Sequence, residues 1–329
     1  MLRVPFGDVL ETLVRALGRM GFDERRAALC ARLFAETTRD GVYTHGLNRF
    51  PRFARMIRNG DIDPRGEAEP VAARGVLERW NGNRGPGNLN AWRSMERAIE
   101  IARRNGVGCV ALANTTHWMR GGTYGWQAAD AGAVGLCWTN TLPNLPPWGA
   151  ADARLGNNPL VIAVPRPGGH VVLDMAMSQF SFGALAAYRE RGEELPVAGG
   201  FDTEGRLTRD PAAIEQSGRP LPIGCWKGSG LALMLDMMAA LLAGGRATHQ
   251  IPADPMKEVG VSQVFVAFDP AAFGAPPDLE QLAGGIIASL DGAGTGVRYP
   301  GERVLRIRAE NTALGLPVEA VLWRELSAL

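Results

Sequence analysis

Three apolar stretches decide the fold class of this chain: AVGLCWTN at residues 133–140, LVIAVP at 160–165 and HVVLDMA at 170–176. Each is rich in β-branched and other apolar residues and is flanked by turn-forming residues, a pattern that is typical of buried β-strands. Two more stretches, VGCVALAN at 107–114 and VSQVFVAFD at 261–269, share this composition. The sequence therefore predicts strands through the part of the chain that follows residue 100.

Helical periodicity dominates the part of the chain that precedes these strands. Apolar residues recur at helical spacing over residues 7–38, where Gly21 and Asp23 indicate a helix end followed by a new N-cap. A third helix is predicted from Pro51 to Asn59-Gly60, and residues 61–78, rich in Pro, Gly and Ala, are predicted to be a linker.

Further helices are predicted between and after the strands. They cover residues 90–106, 123–132, 228–245 and 278–290. Together with the strands, these helices predict an α+β fold with a small helical domain in front.

Size and charge narrow the function classes. The chain has 329 residues, of which 46% are hydrophobic and 21% charged, so we expect a globular protein and not a disordered one. Lys plus Arg number 35 against 34 Asp plus Glu, and this balance argues against nucleic acid as a partner.

The sequence carries no feature that predicts a membrane or metal association. We find no apolar run of the ~20 residues that a membrane-spanning helix requires and no signal-peptide pattern. The four cysteines are far apart and lack metal-binding spacing. A reduced, cytoplasmic protein is the expectation.

The glycine fingerprint of dinucleotide-binding folds is missing. GAGTG at 292–296 lacks the acidic residue that should follow in a strand–helix unit, GNRGPG at 82–87 contains a proline, and WKGSG at 226–230 lacks P-loop spacing. The residues therefore do not predict a Rossmann fold. Either the chain does not use a nucleotide, or it binds one on another fold.

Two of the four histidines are candidates for chemistry. His170 begins a strand and His249 lies in a polar loop, so both are expected to be surface or turn residues. His117, in THWMRGG, precedes a glycine pair that could bring backbone close to a ligand. His45 lies in GVYTHGLNRF, between two predicted helices, with Arg49 shortly after it.

These residue types suffice for proton transfer to an anionic substrate. A histidine can donate or accept a proton near neutral pH, and an arginine can hold a carboxylate in a bidentate grip. Asp174, at a strand end, could bond a histidine or a cofactor hydroxyl, or could instead cap a helix that begins there. The residues alone leave these roles unranked.

Several longer motifs occur in one order along nearly the whole chain: GVYTHGLNRFPRF, THWMRGGTYGWQAA, PPWGA, GNNPLVIAVP, LDMAMSQFSFG, LPVAGGFD and WKGSGLALMLDMMA. Together they resemble the malate/L-lactate dehydrogenase family, which lacks a Rossmann fold. The resemblance implies NAD(P)H binding on a mixed, largely antiparallel sheet. It also implies a homodimer with the active site near the subunit interface.

The resemblance also implies roles for the site residues. His45 falls on the family's catalytic acid, preceded by Thr44 where relatives have serine. Arg49 falls on the residue that grips the substrate carboxylate, and His117 on a residue with an acid–base or substrate-binding role. Asp174 is implied to lie near the nicotinamide and to orient the catalytic histidine.

The implied cofactor contacts fall on four segments. They comprise His170, Val171, Val172, Leu173, Asp174, Met175 and Ala176; Trp226 and Lys227; Gly301, Glu302 and Arg303; and Thr141. NADH is the implied cofactor, with NADPH as the second option, and no metal is expected.

We therefore predict a reductase of a small 2-oxo acid, in the first place a 2-oxo sugar acid. The alternatives are another 2-oxo or 2-hydroxy acid, such as malate, lactate or ureidoglycolate, and a ligand-binding protein that has lost turnover. We predict a helical domain at residues 1–75, joined by the C-terminal segment 300–329, and a cofactor-binding catalytic domain at 76–299.

Overall fold

The computed structural model describes residues 1–272, 274, 279–290, 293–294 and 296–329. Its strands are β1 (Leu2–Val4), β2 (Glu69–Arg74), β3 (Leu77–Asn81), β4 (Val107–Thr116), β5 (Val134–Thr139), β6 (Leu160–Val164), β7 (Val171–Met175), β8 (Gly200–Phe201), β9 (Leu207–Thr208), β10 (Val259–Phe268) and β11 (Leu316–Val318).

Its α-helices are α1 (Phe6–Arg19), α2 (Glu24–Arg39), α3 (Phe50–Arg58), α4 (Gly87–Asn105), α5 (Gly122–Asp130), α6 (Phe182–Arg191), α7 (Pro211–Ser217), α8 (Trp226–Ala243), α9 (Leu279–Ala288), α10 (Glu302–Leu314) and α11 (Ala320–Ala328). Short 3₁₀ turns cover Tyr43–His45, Leu47–Arg49, Thr248–Gln250 and Pro255–Lys257.

A seven-stranded sheet with the order β2-β3-β4-β10-β5-β6-β7 forms the centre of the molecule. Neighbouring strands run antiparallel except β3 and β4, which are parallel. The apolar stretches at residues 133–140, 160–165 and 170–176 form β5, β6 and β7, three consecutive antiparallel strands at one side of the sheet. The prediction of a mixed, largely antiparallel sheet is thus confirmed.

Helices cover both faces of this sheet. On one face, Met95 of α4 and Tyr124 of α5 join Phe265 of β10 in a buried cluster. On the other, Leu235 and Ala239 of α8 form a cluster with the sheet. Each face buries apolar side chains, which explains why residues 107–113 of β4 and 264–268 of β10 are apolar throughout and do not alternate with polar residues.

A separate apolar core joins the helices α1 to α3. Phe34, Phe50 and Phe53 pack against one another in it, with ring centroids 5.2 to 6.0 Å apart. The antiparallel pair β1–β11 adds Leu316 and Val318 to the same core. The division into domains at residues 75 and 299 stays a prediction.

Local signals located the start of α2 and the end of α4 correctly. The Asp23 side chain accepts a hydrogen bond from the Arg26 N–H at 2.9 Å and caps α2, as predicted. Gly106 adopts a left-handed φ of 83° and ends α4. In the glycine run 292–296, Gly292 and Thr295 lie outside the described residues.

Two expectations about the sheet are wrong. The predicted linker 61–78 contains β2 and the start of β3, joined at Gly75. All six residues of β2 are exposed, so no alternation of apolar and polar residues reveals the strand. Asp174 does not cap a helix either, because it lies within β7 and α6 begins only after its cap Ser181.

Helix α8 is long and apolar enough to cross a membrane by length and composition alone. Its contacts instead make it part of the folded domain. Besides the apolar face on the sheet, its Asp236 accepts hydrogen bonds from Asn140 Nδ2 at 2.8 Å and from the Thr248 N–H at 2.9 Å. The opposite face leaves Trp226, Leu233, Met234, Met237, Met238 and Leu241 exposed.

Candidate active site

The connection between α2 and α3 holds His45 in a fixed turn. A side chain at Gly46 would clash with the hydroxyl of Thr38 in α2, so only glycine fits at that position. The next residue, Leu47, donates its N–H to the same Thr38 oxygen at 2.9 Å. Thr44 Oγ1 lies 3.0 Å from Nδ1 of His45, so a hydroxyl bonds one side of the imidazole.

The second histidine reaches the same place from the end of β4. The rings of His117 and His45 stack with centroids 5.7 Å apart and planes at 21°. His117 Nδ1 accepts a hydrogen bond from the Met119 N–H at 3.0 Å, and its Nε2 lies 3.2 Å from Arg49 Nη2. Three of the predicted side chains, from two distant segments, therefore form one group.

The hydrogen bond from Met119 has a consequence for the tautomer of His117. A neutral imidazole has one N–H and one acceptor nitrogen. Since Nδ1 accepts from a backbone N–H, Nε2 must carry the proton. That N–H and the Arg49 guanidinium then face each other as two donors. An oxygen atom of a bound ligand could accept from both.

Burial and positive charge keep both histidines neutral. Burial, with the nearby charges of Arg49, Arg120 and Arg52, lowers the pKa of His45 to about 4. Burial and the charge of Arg49 also hold the pKa of His117 well below its usual value. An anionic ligand at Arg49 would offset part of this positive charge and would favour protonation of His45.

Asp174 adds a carboxylate to the site. Its Oδ2 accepts a hydrogen bond from the Gly122 N–H at 2.8 Å, and a Cβ at Gly122 would lie 2.7 Å from that oxygen. The glycine pair of the His117 loop thus brings backbone close to this carboxylate. Burial raises the pKa of Asp174, and the charge of Arg120 partly offsets the rise. The described residues show no hydrogen bond between Asp174 and His45.

One cavity of about 850 Å³ connects these groups, a size that suits a cofactor and a small substrate. The predicted residues that line it are Thr44, His45, Arg49, His117, Thr141, Val172, Leu173, Asp174, Ala176 and Gly301. The pleat of β7 turns Val172 and Asp174 to one face, while Leu173 and Ala176 also reach the cavity near the end of the strand.

Seven predicted cofactor residues are not part of this lining within a single chain: His170, Val171, Met175, Trp226, Lys227, Glu302 and Arg303. His170 is bonded elsewhere, since its Nδ1 accepts from the Arg166 N–H and its Nε2 lies 3.0 Å from Asp130. Trp226 is 67% exposed at the start of α8.

Four charged residues of the site were not predicted from the sequence. Arg52, Arg120 and Glu258 line the cavity. Behind them, buried Asp40 accepts hydrogen bonds from Arg120 at 2.7 Å and from Arg308 at 2.7 and 2.8 Å. Arg52, three residues after Arg49, and Arg120, in the His117 motif, could have been found from their neighbours. Asp40 and Glu258 have no such local signal.

The part of the chain that the structure describes contains no group of three or more His, Cys, Asp or Glu side chains that could hold a metal ion. The residues that line the cavity fit a dinucleotide better than a metal ion. Residues of β7 and the neighbouring Gly301 line the same cavity as His45, His117 and Arg49.

Comparison with known proteins decides the family. The family described as malate/L-lactate dehydrogenase matches residues 4–327. The chain belongs to this family. It is 44% identical, over all of both chains, to a 2,3-diketo-L-gulonate reductase of Escherichia coli O17:K52:H18 and to one of Klebsiella pneumoniae.

Solved structures of malate/L-lactate dehydrogenase relatives share the whole fold. Sulfolactate dehydrogenase from Methanocaldococcus jannaschii has a TM-score of 0.90 at 26% identity, covering 99% of this chain and 95% of that one. Δ1-Piperideine-2-carboxylate reductase from Pseudomonas syringae also has a TM-score of 0.90 at 26% identity, with 100% and 99% covered.

Membership in the malate/L-lactate dehydrogenase family confirms the resemblance carried by the sequence motifs. The family is one of pyridine-nucleotide-dependent dehydrogenases, so the chain is an oxidoreductase of the 2-oxo acid class. Membership also explains the missing glycine fingerprint, because the cavity lies beside the antiparallel strands β5, β6 and β7 and not at the end of a parallel Rossmann sheet.

Proposed function

We propose that this protein catalyses the NADH-dependent reduction of a 2-oxo sugar acid, 2,3-diketo-L-gulonate to 3-dehydro-L-gulonate. The observation that carries the proposal is the cluster of His45, His117 and Arg49 in one cavity. The full-length identity of 44% to reductases of that name supports the choice of substrate. NADPH is the second option for the cofactor.

The chain's own residues account for binding and proton transfer. Arg49 holds the substrate carboxylate, and the Nε2–H of His117 donates to a substrate oxygen. His45 delivers a proton to the alkoxide that forms at C2, with Thr44 bonded to its other nitrogen and the charge of Asp174 in the same cavity. Bound NADH supplies the hydride.

The same residues would serve another 2-oxo or 2-hydroxy acid, such as malate or lactate. This second candidate is favoured by the structural match to a sulfolactate dehydrogenase at a TM-score of 0.90. The two candidates differ in the distal part of the substrate, which Arg49, His117 and His45 do not contact in this scheme.

A homodimer with its active site near the interface is part of the proposal. The exposed apolar face of α8 supports it, because several large apolar side chains exposed on one helix face are typical of an interaction surface. Trp226 and Lys227, outside the lining of the cavity in one chain, lie at the start of the same helix. Four free cysteines in the described chain are compatible with a reducing cytoplasm.

The first experiment follows NADH oxidation by purified protein with 2,3-diketo-L-gulonate, pyruvate, oxaloacetate and glyoxylate. We expect the highest kcat/KM with the diketo sugar acid. Turnover with a smaller acid alone would favour the second candidate. If the protein binds NADH but reduces none of the four, it is a binding protein and the proposed activity is wrong.

The role of His45 is tested by His45→Ala. Loss of a general acid should lower kcat about 10²- to 10⁴-fold and leave NADH binding intact. His249→Ala is the matched control, because His249 is exposed in a turn outside the cavity and its replacement should change neither quantity. Activity of His45→Ala close to that of the parent enzyme would exclude the assigned role.

A further inference from the structure

Glu258 is a buried carboxylate in the wall of the active-site cavity that the proposed mechanism does not use. Its side chain is 5% exposed. Among the described residues, two polar groups contact its carboxylate, and both distances are long: the Leu142 N–H lies at 3.4 Å and Arg52 Nη2 at 3.7 Å. An ionised carboxylate can accept about four hydrogen bonds, so Glu258 retains acceptor capacity that a ligand could fill.

The sheet register places Glu258 beside the catalytic group. Val259, the first residue of β10, pairs with Thr116, the last of β4. Glu258 therefore precedes β10 at the same end of the ladder where His117 follows β4. Two register shifts interrupt the pairing there, between Val259 and Val261 and between Val261 and Gln263. Such bulges commonly re-aim side chains next to active sites.

The start of helix α3 connects His117 with Glu258. Arg49 and Arg52 are three residues apart at its start and so point to the same side. Arg49 contacts Nε2 of His117, and Arg52 contacts Oε2 of Glu258. If Arg49 and His117 hold the carboxylate and carbonyl end of the substrate, Arg52 and Glu258 face the part of the cavity that the remaining carbons must occupy.

We propose that Glu258, held in position by Arg52, accepts hydrogen bonds from hydroxyl groups on the distal carbons of the substrate. It thereby selects a polyhydroxylated 2-oxo acid over an unsubstituted one such as pyruvate. The negative charge of Glu258 also opposes a second carboxylate, which disfavours oxaloacetate. This inference rests on the proposed function and names the substrate class of that site.

The variant Glu258→Gln tests the inference, since it keeps the shape but replaces one acceptor oxygen with an amide donor. A hydrogen bond to a charged group contributes about 10- to 100-fold in affinity. We expect kcat/KM for 2,3-diketo-L-gulonate to fall by that factor, mainly through KM, and kcat/KM for pyruvate to change less than about twofold. Loss of the wild-type preference against oxaloacetate should accompany it.

Asp254→Asn is the matched control. Asp254 is a second carboxylate that acts on Arg52, four residues before Glu258, but it is not part of the cavity lining. Its replacement should leave the ratio of the two substrates unchanged. Equal losses for both substrates in Glu258→Gln would show that Glu258 only balances the arginine charges, and would overturn the inference, as would no loss at all.

A binding experiment separates this inference from the proposed activity. The NADH-loaded protein is titrated calorimetrically with L-gulonate and with lactate, neither of which can be reduced further at C2. Tighter binding of L-gulonate, abolished in Glu258→Gln, supports the inference even if no oxo acid is turned over. Equal affinities for the two acids in the wild-type protein would overturn it.

Discussion

His45 and His117 are half-buried beside Arg49 and Arg52, and burial together with the charge of these arginines lowers the pKa of both rings. Such a positively charged site is suited to binding an anionic substrate. A substrate carboxylate bound to Arg49 offsets the positive charge that lowers the pKa of His45. Substrate binding should therefore raise this pKa and favour the protonated imidazole.

The depressed pKa of His45 predicts an acid-sensitive fold. Its pKa is about 4 in the folded protein, against the ordinary histidine value of 6.5 that we expect in the unfolded chain. Between these values the unfolded state binds a proton that the folded state does not, so stability is full above pH 6.5 and falls as pH drops toward 4.

The test compares the wild-type protein with His45→Gln, which cannot titrate. The wild type should lose about 1–3 kcal/mol more of its unfolding free energy between pH 7 and pH 4.5. Urea unfolding at a series of pH values measures the difference. If the unfolding free energies of the two proteins change with pH in parallel, the pKa of His45 is not depressed in the folded protein.

The candidate site was predictable from sequence where chemistry and spacing are local. His45 with Arg49, and His117 with its glycine pair, each lie within a short window that shows the necessary residue types. Glu258 could not be found in this way. Its place depends on the pairing of Val259 with Thr116, a tertiary fact that no nearby residue reports.

At the scale of elements, Asp40 connects three parts of the chain. It ends α2, and it binds Arg120 from the His117 loop and Arg308 from α10. Burial alone would raise the pKa of Asp40, but hydrogen bonds and charge from Arg308 and Arg120 hold it below its usual value. The turn that carries His45 follows Asp40 closely. The bonds from Asp40 to Arg120 and Arg308 therefore also fix the position of this turn at the end of α2.

Replacing Asp40 by Asn should therefore be costly. The variant leaves two buried or half-buried arginines without a countercharge, for which a loss of about 3–5 kcal/mol is expected. Glu310→Gln is the control, because Glu310 pairs with Arg3 at the exposed surface and its loss should cost less than about 1 kcal/mol. Denaturant unfolding measures both, and equal losses would contradict the assigned role of Asp40.

The elements that the sequence predicted well carry a burial pattern. Strands β4, β5 and β10 are apolar because both faces are covered, and α1 to α3 have one apolar side each. Strand β2 was missed because its residues are exposed throughout, so backbone pairing with β3 holds it without any apolar signal. A hydrophobicity pattern reflects which residues are buried, so a strand with no buried residues cannot be predicted from it.

At the scale of the molecule, the outer face of α8 predicts an assembly. Its exposed Met234, Met237 and Leu241 should lie in the interface of a homodimer. The double variant Met237→Glu/Leu241→Glu should shift the protein from dimer to monomer, because two charges would be buried without partners. Sedimentation velocity measures the shift, and activity should fall with it if the interface completes the site.

Val321→Glu serves as the control for that variant. Val321 is 67% exposed on α11, away from α8, so the same apolar-to-charged change should leave the sedimentation coefficient as it is. A wild-type protein that sediments as a monomer, or a double variant that stays dimeric, would show that α8 is not the interface.

The pairing of β1 with β11 sets the order in which the protein is completed during synthesis. Arg3 bonds Asn311, 308 residues further along, and Leu2 pairs with Val318. Because a long stretch of chain separates the two strands, β1 is synthesised well before its partner β11. Contacts of such long sequence separation form slowly, so closure of the helical layer, and with it the final setting of the turn that carries His45, should be a late event in folding.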